Sequence, residues 1–487
     1  MSSNITRKEF IKGTLVAGIS TSLAGPYIMA NKLQSRSKKV IIAGAGISGL
    51  CCGYELMKAG HDVTVLEATG RSGGHVFTGH DGLTEGLNAD FGADHLTKPG
   101  YERFFEYVKE FDLPVIPYPN AEGSPLPRNS AMYKLIDGKF YTRKELSTPK
   151  MLKKEGFNSK EIKFLSKNPR YRLRSFYLQK YVDKFTDPNQ PYGVGLDHLD
   201  SVPIAKIYKK EGASQAALKY LGGQSTNALY SLWRLAVMGF RGIPLSEGKT
   251  YRLQGGNQQL PNVFAERLGS RVKLKHPVVA IDRSNKGVTV TYREYGNDKK
   301  RTMDADFLVN CITLPVFSNI PVNPPLSPEK QYVVNNLNYT SHPFYVFEAS
   351  SEFWLNDGFK TINMEFDHPD ISSIWLQPNK DSTNRIILKA YGPGGISPQR
   401  VLKAFREVYP GNDTIVQALT KDWTRDAHAP FCEMESFPIG EMHKFWPEIL
   451  KPDGRIYFAG TYADSLSRGM ESCIRSAQRV AREIDKA

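Results

Sequence analysis

The sequence contains no run of about 20 consecutive apolar residues, so no membrane span is expected. Its five cysteines, Cys51, Cys52, Cys311, Cys432 and Cys473, are too few and too scattered for a disulfide framework or a zinc site. No metal is expected. Internal repeats and low-complexity tracts are absent, which excludes solenoids and long disordered segments. Acidic residues are in the minority, 50 Asp and Glu against 64 Lys and Arg, for a formal net charge of +14. The imbalance is concentrated in residues 134–184, which hold 15 Lys and Arg against 5 Asp and Glu. Such a stretch is either a solvated helical face or a surface for an acidic partner, and no nucleic acid is expected. With 487 residues, 40% of them hydrophobic, the chain can bury a large core and is expected to form two domains.

What the chain does have is a mononucleotide-binding unit near its start. Residues Lys39 to Ala43 read as a buried parallel strand that runs straight into Gly44-Ala45-Gly46-Ile47-Ser48-Gly49. A helical pattern follows and stops at Gly60, and a second strand, His61–Leu66, ends on Glu67. Gly44 permits the tight turn, Gly46 lets the backbone approach a pyrophosphate, and Gly49 lets helix and strand pack closely. Ser48 lies among them and is grouped with them as a cofactor contact. The helix N-terminus supplies free N–H groups and a partial positive charge for phosphates. Glu67 lies 18 residues past Gly49, near the ~20 at which an acid accepts from a ribose hydroxyl.

The continuation Glu67-Ala68-Thr69-Gly70-Arg71-Ser72-Gly73-Gly74-His75 adds a phosphate-neutralising arginine and a Gly-Gly pair that lets backbone press on a flat ring. It resembles the corresponding segment of the flavin amine oxidase superfamily, with His75 in place of the usual arginine. The resemblance implies FAD as cofactor. It extends to residues 87–96, where Gly92 and Ala93 match a glycine segment beside the isoalloxazine. It also covers residues 251–282, where Val278 matches a backbone contact to the adenine side, although packing in a core strand accounts for Val278 equally. A last block holds Trp423, Cys432, Gly460 and Thr461, followed by a helix from about Met470 to Lys486; the resemblance implies that this helix points its N-terminus at the flavin. The implied fold is α/β. A Rossmann-like FAD-binding domain is built from discontinuous segments, 38–115, 250–316 and 423–487. The α+β substrate domain, residues 116–249 and 317–422, combines a mainly helical insertion with an antiparallel sheet.

Residues 1–37 form the remaining segment. Thr6-Arg7-Lys8 before an apolar, Gly-rich stretch reads as an export signal and resembles a twin-arginine signal with Arg-Lys for Arg-Arg, implying a periplasmic protein.

Three pocket positions depart from the family. Phe344 stands where related oxidases carry a lysine linked to reaction with oxygen. His95 stands where L-amino acid oxidases clamp the substrate carboxylate with arginine, and imidazole offers no bidentate fork. Glu433 and Gly469 stand where monoamine oxidases place an aromatic pair, and Tyr462 replaces the usual glutamate. Cys432 matches the cysteine that bonds the flavin 8α carbon in monoamine oxidases; a buried free thiol is the other reading. The expected activity is oxidation of the C–N bond of an amine by hydride transfer to flavin N5, followed by imine hydrolysis. Amines lacking an α-carboxylate are the preferred substrates, and oxygen or a redox carrier is the acceptor, the carrier favoured by Phe344. A carbon–carbon desaturase or isomerase and a non-catalytic flavin-binding protein remain as alternatives on this fold.

Overall fold

The computed structural model describes residues 37–487 apart from 119–132, 244–248, 295, 297–298, 341–342, 380–383, 432 and 467–468. Most of the export-signal segment therefore lies outside the described residues.

The first strand, β1 (Lys39–Ala43), buries Val40, Ile41, Ile42 and Ala43 completely, because both faces of its sheet are covered. It pairs in parallel with β2 (Asp62–Leu66) on one side and with β3 (Phe307–Asn310) on the other. Val272–Lys273 extends the sheet beyond β2, and Ile456–Phe458 extends it beyond β3, giving five parallel strands. Helix α1 (Ile47–Lys58) packs on this sheet through glycine. A Cβ on Gly49 would lie 2.0 Å from the Gly44 carbonyl oxygen, and one on Gly53 would lie 3.3 Å from Ile42 and Val65 methyls. The opposite flank of α1 packs against the closing helix, α3 (Gly469–Lys486), which buries Ile474, Ala477, Val480 and Ile484 at helical spacing.

Helix α2 (Glu102–Glu110) buries Phe104, Tyr107 and Val108. Read from sequence alone, Pro99 to Phe111 forms this helix, with Tyr101, Phe104, Phe105 and Val108 on one face. Gly100 instead adopts a left-handed φ of 126°, and its N–H donates to the Glu102 carboxylate, so the helix starts three residues later and Tyr107 takes an inner position.

A second, four-stranded sheet holds Val278–Arg283 and Val288–Arg293, plus Lys300–Ala305, a strand the sequence pattern did not reveal because its residues are mostly exposed. A third sheet has seven strands. Near one edge lies β4 (Phe344–Ala349), flanked by antiparallel partners, β5 (Ile386–Tyr391) on one side and the edge strand Ile415–Lys421 on the other. The helical insertion needs correction at its start. Tyr133–Ile136 and Lys139–Thr142 form a hairpin at the edge of this sheet, turning on Asp137 and Gly138, both at positive φ. Asp-Gly is the signal for that turn type. Short helices then occupy much of residues 143–240. No helix of the described residues is long and apolar enough to cross a membrane.

Candidate active site

A cavity of about 790 Å³ opens at the carboxyl ends of the parallel strands. That is where open α/β sheets bind ligands, and the volume is in the upper part of the ~300–1,000 Å³ range of small-molecule sites. Residues just past the strand ends line it: Gly44 after β1, Glu67 after β2, Cys311 after β3 and Gly460 after Ile456–Phe458. The turn after β1 needs glycine at position 44, where φ is 101°. Gly46 stands at the N-cap of helix α1, which has no side-chain cap and no acid in its first turn, and Ile47 and Ser48 line the cavity. Its free N–H groups are therefore directed at whatever anion the cavity takes. Glu67 accepts from the N–H of Ala45 and from the N–H and hydroxyl of Thr69, each at 2.8 Å. Three of about four acceptor positions are thus used, leaving capacity for a ligand hydroxyl.

The loop after β2 folds over this end. Arg71 donates to the carbonyls of Ser72 and Gly74 and lies over the rings of Phe77 and Trp423, so it fixes the loop that carries Ala68 and Gly74 along the cavity wall. His75 stacks on Trp423 with 4.1 Å between ring centroids and donates Nε2–H to the Ala429 carbonyl at 2.6 Å. Burial pulls its pKa down to about 4, so it is neutral. Gly92 sits beneath it, and a Cβ there would lie 1.8 Å from the His75 oxygen. Ala93, Val278, Thr461 and Met470 complete the lining of this part.

The rest of the cavity is lined by His95, Tyr101, Phe344, Tyr391, Tyr339 and Glu433, among others. Asp94, itself buried, accepts from Tyr118 at 2.9 Å, pairs with Lys389 at 3.0 Å, and lies 3.5 Å from His95 Nδ1. Burial opposes its charge, but His95 and Lys389 hold its pKa below the usual carboxylate value. Lys389, on β5, is completely buried and also donates to the backbone oxygen of Asp90, whose carboxylate pairs with buried Arg252. Its ammonium rests 3.8 Å from the centroid of the Phe344 ring.

The family profile described as flavin containing amine oxidoreductase matches residues 47–485. The chain belongs to this family. L-amino-acid oxidases of Vipera ammodytes ammodytes and Bothrops atrox are each 27% identical to it, over 94% and 93% of this chain and 94% and 90% of theirs. Among solved structures, a putrescine oxidase bound to putrescine aligns with a TM-score of 0.76 at 20% identity, covering 93% of this chain and 99% of its own. Cyclohexylamine oxidase from Brevibacterium oxydans aligns with a TM-score of 0.72 at 20% identity, covering 92% and 99%. This amine oxidoreductase is an FAD-dependent enzyme that oxidises the carbon–nitrogen bond of an amine.

Nearly all the residues singled out in the sequence line one cavity. Gly49 does not. It was grouped with the cofactor contacts, but its missing side chain is needed against the Gly44 carbonyl and Ile42. Cys432 lies outside the described residues. Sequence reasoning missed Asp94, Lys389, Tyr391 and Tyr339. Only Lys389 had left a local sign, a lone charge inside the apolar strand Ile386-Ile387-Leu388-Lys389-Ala390.

Proposed function

We propose that FAD lies along this cavity, its pyrophosphate at the N-terminus of α1, its adenosine ribose at Glu67 and its ring system near Gly92, Trp423 and Met470. The observation that carries this reading is the uncapped start of α1 facing a cavity that Glu67 also lines. Gly44, Gly46, Gly73, Gly74 and Gly92 line the cavity, so bare backbone faces this part of it, which suits close approach of a flat group. When bound, FAD supplies the hydride acceptor. The chain's residues orient the substrate, keep water from the reacting carbon and leave the reacting nitrogen unprotonated.

The substrate we infer is an amine without an α-carboxylate. Arg71 is the one arginine among the described lining residues, and it is held by its own loop. His95 is paired with Asp94. Anaerobic addition of primary amines should bleach the yellow holoenzyme, and α-amino acids should act less efficiently than their decarboxylated counterparts; the reverse order would refute this.

The acceptor we infer is a redox carrier in preference to oxygen. Phe344 presents an uncharged face to the cavity, and the cation behind it is engaged by Asp94 and the Asp90 carbonyl. A fixed charge at the flavin would stabilise reduced oxygen as it forms. Stopped-flow mixing of substrate-reduced enzyme should show slow reoxidation by oxygen and fast reoxidation by an artificial one-electron acceptor. Reoxidation by oxygen as fast as turnover would end this reading. Export through the twin-arginine-like N-terminal segment would put the enzyme within reach of such carriers, and cell fractionation tests it.

A further inference from the structure

We propose that the helical lobe of residues 143–221 carries a docking surface for an anionic lipid bilayer, by which the protein attaches peripherally to a membrane. The surface centres on two packed helices, Ser159–Leu165 and Leu173–Val182.

These helices sort their residues by face. Leu165, Leu173, Tyr177 and Leu178 are buried in the core. The acids of the lobe are engaged within it. Buried Glu161 accepts from the N–H and hydroxyl of Ser214 and from the Tyr177 hydroxyl. Glu155 pairs with Arg170, and Glu211 accepts from Lys180 and Tyr181. By contrast, Lys150, Lys153, Lys160, Lys163, Lys167 and Lys184 are exposed and make no ion pair among the described residues. Lys160, Lys163 and Lys167 recur at helical spacing, so they share the outer side of the first helix. Phe164, beside Lys163, packs against Phe176 of the second helix with 4.7 Å between ring centroids, and Phe176 is 39% exposed. One pair of helices thus presents uncompensated ammonium groups together with an exposed aromatic ring.

The type of cation selects the partner. Eleven of the 15 basic residues in 134–184 are lysine. Lysine is depleted in protein–protein interfaces, where the arginine fork is the better partner for carboxylates. Hydrated ammonium groups beside an apolar ring suit a headgroup layer instead: the cations gain from the anionic surface potential and the ring enters the boundary of the acyl chains. An acidic electron carrier fits less well. Among the described residues, none from 143–240 lines the cavity, so these helices do not present a docked carrier to the reacting centre.

The test is partition of the full-length holoenzyme onto sedimenting vesicles, made of phosphatidylcholine alone or of equal parts phosphatidylcholine and phosphatidylglycerol. Binding should occur on the anionic vesicles only and weaken with added salt. Lys160→Gln, Lys163→Gln and Lys167→Gln together should lower partition roughly 100-fold, about 5-fold for each lysine. Phe176→Ser should lower it several-fold. A control triple, Lys286→Gln, Lys300→Gln and Lys403→Gln, removes the same charge from other exposed positions and should partition nearly as the parent does. Thermal melts and flavin reduction in solution should be the same in all four proteins. Absence of binding to the anionic vesicles would overturn the proposal, and so would equal losses in the two triple variants, which would make net charge the cause. Binding indifferent to the first triple would assign attachment to another part of the chain and refute it. Retention on immobilised polyglutamate or duplex DNA without vesicle binding would replace the bilayer by an acidic protein or a nucleic acid.

Discussion

Replacing Lys389 by methionine removes one charge from a buried network and leaves the others in place. The side chain is completely buried, pairs with Asp94 at 3.0 Å, donates to the Asp90 backbone and covers one face of Phe344. Burial pulls the lysine pKa down, while Asp94 and Asp90 push it up. Methionine fills similar volume but cannot compensate Asp94, which would retain only Tyr118 and His95. Breaking a buried pair from one side costs about 3–5 kcal/mol, mostly because the remaining charge is stranded. Urea unfolding of the holoenzyme should therefore show a loss of that size. Lys389→Met combined with Asp94→Asn removes both charges and should be less destabilised than Lys389→Met alone, a non-additivity that distant sites do not show. If the single variant stays within about 1 kcal/mol of the parent, or the two effects simply add, the network is not coupled and the reasoning is wrong.

Glu67→Ala should weaken FAD binding by about 1.5–3 kcal/mol, roughly 10- to 150-fold, through loss of charge-assisted hydrogen bonds. FAD content after dialysis checks it, and unchanged affinity would refute it. Glu471 accepts from the N–H groups of Arg103 and Phe104 at the start of α2, and burial raises its pKa from 4.5 to about 7. The folded state thus holds this proton more tightly than the unfolded state. Its stabilising contribution is full below about pH 4.5 and is lost as pH rises through 7, for a total on the order of 3 kcal/mol. Thermal melts across that window should fall less steeply in Glu471→Gln than in the parent, and identical slopes would exclude the linkage.

How much was legible follows from how far apart the interacting residues lie. The unit from Lys39 to Glu67 was readable because strand, turn, helix and the closing acid sit within a short contiguous run, each part required locally. The positive φ of Gly44 and the 2.0 Å approach at Gly49 are what the glycine spacing demands. The strands of the substrate-side sheet were readable as apolar runs, but the hairpin at residues 133–142 was overlooked in a basic stretch that otherwise turns helical.

The charge state of the pocket was not readable. Phe344 alone announced a missing lysine, yet the fold brings Lys389 from the adjacent strand to the back of its ring. That lysine reaches Asp90, 299 residues away in the chain, through cross-strand packing that no local pattern encodes. His95 follows Asp94 directly in the chain, but only the fold buries Asp94 and ties it to Lys389. By itself the sequence determined the nucleotide-binding unit, the flavin and the reaction class, because those depend on contiguous motifs. Only the tertiary structure decided which pocket charges are paired, because desolvation and pairing arise where distant strands meet.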